Sequence, residues 1–174
     1  MTFGGVGQGV EGDHDVWRGA PYAGFDGIRI RSAKAEGAGL SIEADLTSAY
    51  PKVAGLLGFT RTFTFDGRSS FAISDQVTLK GPIPIEWRLQ SDTPFIESKA
   101  GVYRNAGPGR PAIEVTIAEP KDATIALAVG KLKVPGPPGS ITSGPEEDRG
   151  HLLTATARGK AGESRIEVTL QVVK

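Results

Sequence analysis

Between residues 57 and 89 apolar and polar side chains alternate with period two, the repeat of a strand whose successive residues face opposite sides of a sheet. In the first run Leu57, Phe59, Phe63 and Phe65 share a face with Arg61, while Gly58, Thr60, Thr62 and Thr64 take the other. The second run sets Phe71, Ile73, Val77 and Leu79 on one face and puts Asp75 where an apolar residue is due. If Asp66-Gly67-Arg68-Ser69-Ser70 closes an antiparallel hairpin with Phe65 opposite Phe71, then Phe63 falls opposite Ile73 and Arg61 opposite Asp75. Each charge then accounts for the other, and the pattern predicts a structural Arg61–Asp75 ion pair on an otherwise apolar inner face. The third run points Ile83, Ile85, Trp87 and Leu89 one way and Glu86, Arg88 and Gln90 the other, with Pro84 marking a strand start or a sheet edge.

Weaker alternation predicts strands at 28–31 and 40–46, and others at 113–118, 124–129, 152–157 and 165–173. The Pro/Gly-rich segment 134–139 and the acidic segment 143–148 read as exposed loops. The first 27 residues, rich in glycine and without a clear period, read as an extended arm or loop. About ten short strands with close turn signals and no alternation of strand with helix predict an all-β fold, an antiparallel β-sandwich.

Composition narrows the partners. The chain of 174 residues is of a size for one domain, and residues 1–174 are expected to form one sandwich. Twenty basic residues against 20 acidic ones leave no net charge, which argues against nucleic acid as a partner. No apolar run approaches the roughly 20 residues that span a bilayer, so no membrane is expected either. The absence of cysteine excludes disulfides, a thiolate nucleophile and cysteine-ligated metal. The two histidines, His14 and His151, stand far apart and in no metal-ligand spacing.

Few side chains offer chemistry. His14 lies between Asp13 and Asp15, which favour its charged form; it reads as a hydrogen-bonding group at a ligand surface or as an ordinary loop histidine. Glu43 and Asp45 share a strand face, as a glycosidase pair or as two solvated carboxylates. Trp17, Tyr22, Tyr50 and Tyr103 fall in loops or at strand ends, where aromatic rings stack on sugars or plug the ends of a core. No nucleophile elbow or phosphate-binding loop is present.

Four stretches carry a family resemblance: Thr2-Phe3-Gly4-Gly5-Val6-Gly7-Gln8, Ala44-Asp45-Leu46-Thr47-Ser48-Ala49-Tyr50-Pro51, the hairpin from Arg61 to Asp75, and Ile85-Glu86-Trp87-Arg88-Leu89-Gln90. In them the sequence resembles the C-terminal β-sandwich domain of heparinase II/III-like polysaccharide lyases. The resemblance implies a partner α/α toroid domain, an acidic polysaccharide or oligosaccharide held in the cleft between the two, and β-elimination next to a uronate carboxylate. In such lyases the toroid supplies the tyrosine, the histidine and the asparagine or arginine of the reaction. This chain is therefore expected to be an excised accessory domain, catalytically silent alone, forming one wall of the cleft through His14, Asp45, Tyr50, Arg88, Gln90 and Tyr103.

The family histidine that ends a Trp-x-Leu-His motif is Gln90 here, which is no general base and a poor zinc ligand. Asp45 matches a family acidic position but cannot hold a metal alone, so no metal and no cofactor are expected. The family implies a periplasmic or secreted parent protein. The alternative is a stand-alone carbohydrate-binding or structural interaction module.

Overall fold

The computed structural model of the chain describes residues 1–7, 27–50, 52–118, 125–135 and 146–173. Within them lie twelve strands and no α-helix: β1 (Thr2–Phe3), β2 (Arg29–Glu36), β3 (Gly39–Asp45), β4 (Leu56–Phe65), β5 (Ser70–Leu79), β6 (Pro84–Ser91), β7 (Phe95–Lys99), β8 (Val102–Asn105), β9 (Ala112–Ala118), β10 (Ile125–Pro135), β11 (Glu146–Arg158) and β12 (Gly162–Val173). They form a four-stranded sheet in the order β1-β6-β11-β10 and an eight-stranded sheet in the order β2-β3-β4-β5-β12-β9-β8-β7. Every pairing is antiparallel. The all-β sandwich expected from the period-two runs is the architecture found.

The β4–β5 hairpin has the register its sequence requires, with Phe65 opposite Phe71, Phe63 opposite Ile73 and Arg61 opposite Asp75. Its loop is built on Asp66, whose carboxylate accepts hydrogen bonds from the backbone N–H groups of Arg68, Ser69 and Ser70 at 2.8, 2.9 and 3.0 Å. Gly67 in that loop has φ +79°, and a Cβ there would come within 2.6 Å of the Ala38 backbone, so the position requires glycine.

The core gathers residues from both sheets, including Phe59, Val77, Leu79, Ile166 and Val168 from the larger and Phe3, Ile85, Trp87 and Leu153 from the smaller. Ile85 and Trp87 are buried while Arg88 and Gln90 are exposed, so β6 turns its odd-numbered residues inward as the alternation predicts.

Several expectations need correction. Leu57 is not on the inner face: a β-bulge between Leu56 and Gly58 puts Leu56 opposite Leu79 and leaves Leu57 61% exposed. The start of the chain is not an arm, because Thr2 and Phe3 pair with Glu86 and Ile85 as an edge strand and Phe3 is fully buried. Residues 8–26, with His14, Trp17 and Tyr22, lie outside the described residues. The segments expected to be loops contribute to β10 and β11, where Val134 pairs with Glu147 and Pro135 with Glu146. Pro135 sits at the end of an edge strand, where its missing N–H breaks no interior ladder. Strands β7 and β8, too short to show a clear period, form a hairpin closed by Lys99 opposite Val102.

Candidate functional site

The inner face of the larger sheet carries a register row running from its β2 edge into the core: Ile30 opposite Ala44, Ala44 opposite Arg61, Arg61 opposite Asp75, Asp75 opposite Ile166. Exposure falls along it, from Ile30 at 69% to Asp75 at 0%. Arg61 stands at the boundary, its side chain 31% exposed. Arg61 Nε donates to Asp75 Oδ1 at 2.6 Å and Nη2 donates to Asp75 Oδ2 at 2.8 Å, a parallel two-point pair of the kind guanidinium and carboxylate form best.

The guanidinium carbon lies 5.5 Å from the centre of the Phe59 ring, a cation–π distance. Burial works against the charge on Arg61, but the hydrogen bonds and charge of Asp75, with a contribution from Tyr50, outweigh it and hold the guanidinium pKa above its ordinary value. The cation is thus fixed in place and charged.

Tyr50 flanks this row, whereas Asp45, opposite Thr60 on β4, belongs to the other face of the sheet. Asp45 Oδ1 accepts from the Thr47 N–H at 3.0 Å and from Thr47 Oγ1 at 2.7 Å, an Asx turn that starts the short 3-10 helix Thr47–Ala49. Thr47 Oγ1 in turn accepts the Phe59 N–H at 2.9 Å. Asp45 Oδ2 also takes a hydrogen bond from Arg31 Nη2 at 2.6 Å. The Thr47 hydroxyl and backbone bonds, helped by Arg31, hold the Asp45 carboxyl below its usual range. Asp45 is engaged by its own turn and by Arg31.

Tyr50, which follows the 3-10 helix, is only 7% exposed. Its ring packs edge-on to Phe3 at 4.9 Å and lies 5.8 Å from Phe59, and its hydroxyl donates to the Met1 carbonyl at 3.1 Å. It plugs the end of the core, and its faces are occupied by protein rather than open for stacking on a sugar.

The remaining candidates stand elsewhere. Arg88 and Gln90 lie on the outer face of the smaller sheet, opposite Thr154 and Leu152, and Arg88 hydrogen-bonds Glu86 beside it. Tyr103 lies on β8, four strands from β4 in the same sheet and so about 19 Å away at the usual strand spacing. It is buried, and burial together with the Glu97 carboxylate raises its phenol pKa. The expected substrate set is therefore not one site: Tyr50 adjoins Arg61, Asp45 lies on the other face of the larger sheet opposite Thr60, Arg88 and Gln90 face away on the smaller sheet, and Tyr103 is remote.

Sequence reasoning missed Thr47, whose hydroxyl joins two elements; the Asp-x-Thr spacing of Asp45 and Thr47 is the signal that could have revealed it. It also missed Ala44 and Ile30, which only the three-strand register places beside Arg61. Among the described residues no group of three or more His, Asp or Glu residues could hold a metal ion.

No protein-family model matches the sequence, and no curated protein matches it. Solved structures do. The crystal structure of the heparan sulfate lyase HepC from Pedobacter heparinus superimposes with a TM-score of 0.58 at 12% identity, over 84% of this chain and 22% of that one. A heparinase III crystal structure superimposes with a TM-score of 0.63 at 11% identity, over 84% of this chain and 21% of that one. The fold is that of a domain of heparinase III. A further heparinase III structure agrees, with a TM-score of 0.60 at 12% identity and the same coverage of 84% and 21%. The chain thus spans about a fifth of the length of the heparinase III and heparan sulfate lyase chains it matches.

Proposed function

We propose that this chain acts as one accessory sandwich domain of a polysaccharide lyase, lining one wall of a cleft that holds an acidic glycan against a catalytic α/α toroid domain. The observation that carries the reading is the lopsided coverage: 84% of this chain corresponds to 22% and 21% of much longer lyase chains. The chemistry of the described residues agrees with an accessory role. Lyase chemistry needs a base to take the proton next to the uronate carboxylate, an acid for the leaving oxygen and a group to neutralise the carboxylate. Asp45 and Asp75 are tied up as acceptors in structural contacts. His151 sits within the β11 ladder between Ser91 and Lys131. Arg61 offers a cation fixed by its pair with Asp75 and partly exposed on the row.

The reading carries with it a periplasmic or secreted parent protein, which rests on the family and on no residue described above. The test is to mix the isolated chain with heparan sulfate oligosaccharides, measuring binding by calorimetry and product by the ultraviolet absorbance of the unsaturated uronate. Binding without product is expected. Product formation contradicts the accessory role, and absence of binding contradicts the place at the cleft wall.

A further inference from the structure

Arg61 has donors to spare. A guanidinium carries five N–H groups in a planar fork. Asp75 takes one from Nε and one from Nη2, leaving the two on Nη1 and one on Nη2, and among the described residues these three have no hydrogen-bond partner. Two of the unused donors, one on each Nη, form the end-on edge of the fork, the geometry that accepts a second carboxylate or a sulfate through two parallel bonds.

We propose that this edge of Arg61 is the anchor for one anionic group of the glycan, a uronate carboxylate or a sulfate. The inference deepens the cleft-wall reading and rests on it. Three features of the row support it. Asp75, at 0% exposure, fixes the guanidinium plane, so the ordering that a free surface arginine would undergo on binding is already done. Phe59 backs the cation with its ring face. Ala44, directly opposite Arg61 on β3, is the smallest side chain that keeps the strand regular, and beyond it Ile30 stands exposed at the sheet edge. Small and aliphatic neighbours give the carbon-bearing face of a sugar ring an apolar seat next to the charge, the mixture that small-molecule sites use to combine contact area with orientation.

The ion pair with Asp75 does not cancel the role. Asp75 neutralises the formal charge of the pair, so the ligand group is bound by directed donors more than by net charge, and discrimination comes from fork geometry.

The test is calorimetric titration of the chain with a heparan sulfate hexasaccharide, its carboxyl-reduced form and its desulfated form. The variants are Arg61→Lys, which keeps a cation and removes the fork, and the double replacement Arg61→Met with Asp75→Leu, which removes both charges and keeps the face apolar so that the chain still folds. The expected result is a loss of about 10-fold in affinity for both variants, given the strength of charge-assisted paired bonds. One modified ligand should show the same loss on the wild-type chain and no further loss on Arg61→Lys. Whether that ligand is the carboxyl-reduced or the desulfated one identifies the anion. If the wild-type chain binds the hexasaccharide and both variants bind it equally well, the Arg61 inference is overturned while the cleft-wall reading stands. If the wild-type chain binds none of the three, both fall together.

Discussion

At the scale of single residues the molecule turns on how Asp75 and Arg61 share their burial. Asp75 is sealed from solvent, whereas a third of the Arg61 side chain reaches it, so the two are not equivalent when one is removed. Arg61→Ala leaves a carboxylate unpaired in the core and should cost about 3–5 kcal/mol, measured by denaturant unfolding. Asp75→Ala leaves a cation that can turn toward water and should cost less. The Arg61→Met, Asp75→Leu double variant should recover most of the loss, and equal, additive single effects would contradict the pairing.

Asp45 makes a prediction in pH. Its carboxyl is held below the ordinary value of 3.8, so its charge contributes stability that is present above that pH and is lost as the pH falls through the lowered native value. Asp45→Asn keeps an acceptor for Thr47 and removes only the charge. The stability difference from the wild-type chain should be constant above about pH 5 and shrink below pH 4; a difference unchanged down to pH 2 would contradict the assignment. The Arg61–Asp75 pair was legible in the sequence because a charge in an apolar phase is conspicuous, and two such charges at matching hairpin positions explain one another. The burial of Tyr50 was not legible, because it depends on where β1 packs; the closed turn of Asp45 is signalled only by the Asp-x-Thr spacing.

At the scale of elements, the sandwich depends on the points where the chain changes sheets. Between β6 and β7 it leaves the smaller sheet for the larger, and Asn105 on β8 holds that crossing. The Asn105 amide donates to Ser91 Oγ at 2.9 Å and to the Thr93 carbonyl at 2.7 Å, and its Oδ1 accepts from Thr93 Oγ1 at 2.8 Å. Asn105→Ala leaves these half-buried partners unsatisfied and should destabilise by about 1–3 kcal/mol in thermal or denaturant unfolding, with Asn105→Asp only partly restoring the loss because it cannot donate to the carbonyl.

The edges of both sheets show a second element-scale device. β2, β7 and β10 each end a sheet, and each carries a register shift and at least one lysine: Lys34 on β2, Lys99 on β7, Lys131 and Lys133 on β10. Bulges and lysines at an edge discourage pairing with a second chain. Strong alternation made β4, β5, β6 and β12 readable from sequence. β7 was hard to read because four of its five residues are exposed, which removes the period that burial imposes.

At the scale of the whole molecule the two sheets are unequal. Eight strands span about 34 Å and four about 14 Å at the usual spacing, so the larger sheet extends well past the smaller. Fold class was legible because turn residues and period-two runs are local signals. Which inner-face residues meet the second sheet and which stand beyond it is set by strand order, and the β2-β3-β4-β5 arrangement that brings Ile30, Ala44 and Arg61 into one row cannot be read from any one segment. That row belongs to a fold shared with a domain of heparinase III, and its open end is the proposed seat of an acidic glycan.

The most direct check is nuclear magnetic resonance of the isotopically labelled chain, following backbone amides and arginine Nε–H signals as a heparan sulfate hexasaccharide is added. The account predicts shifts concentrated on the Arg61 Nε–H and on the amides of Ile30, Ala44 and Phe63. Shifts centred instead on Arg88 and Gln90 or on Tyr103, or none anywhere, would contradict it.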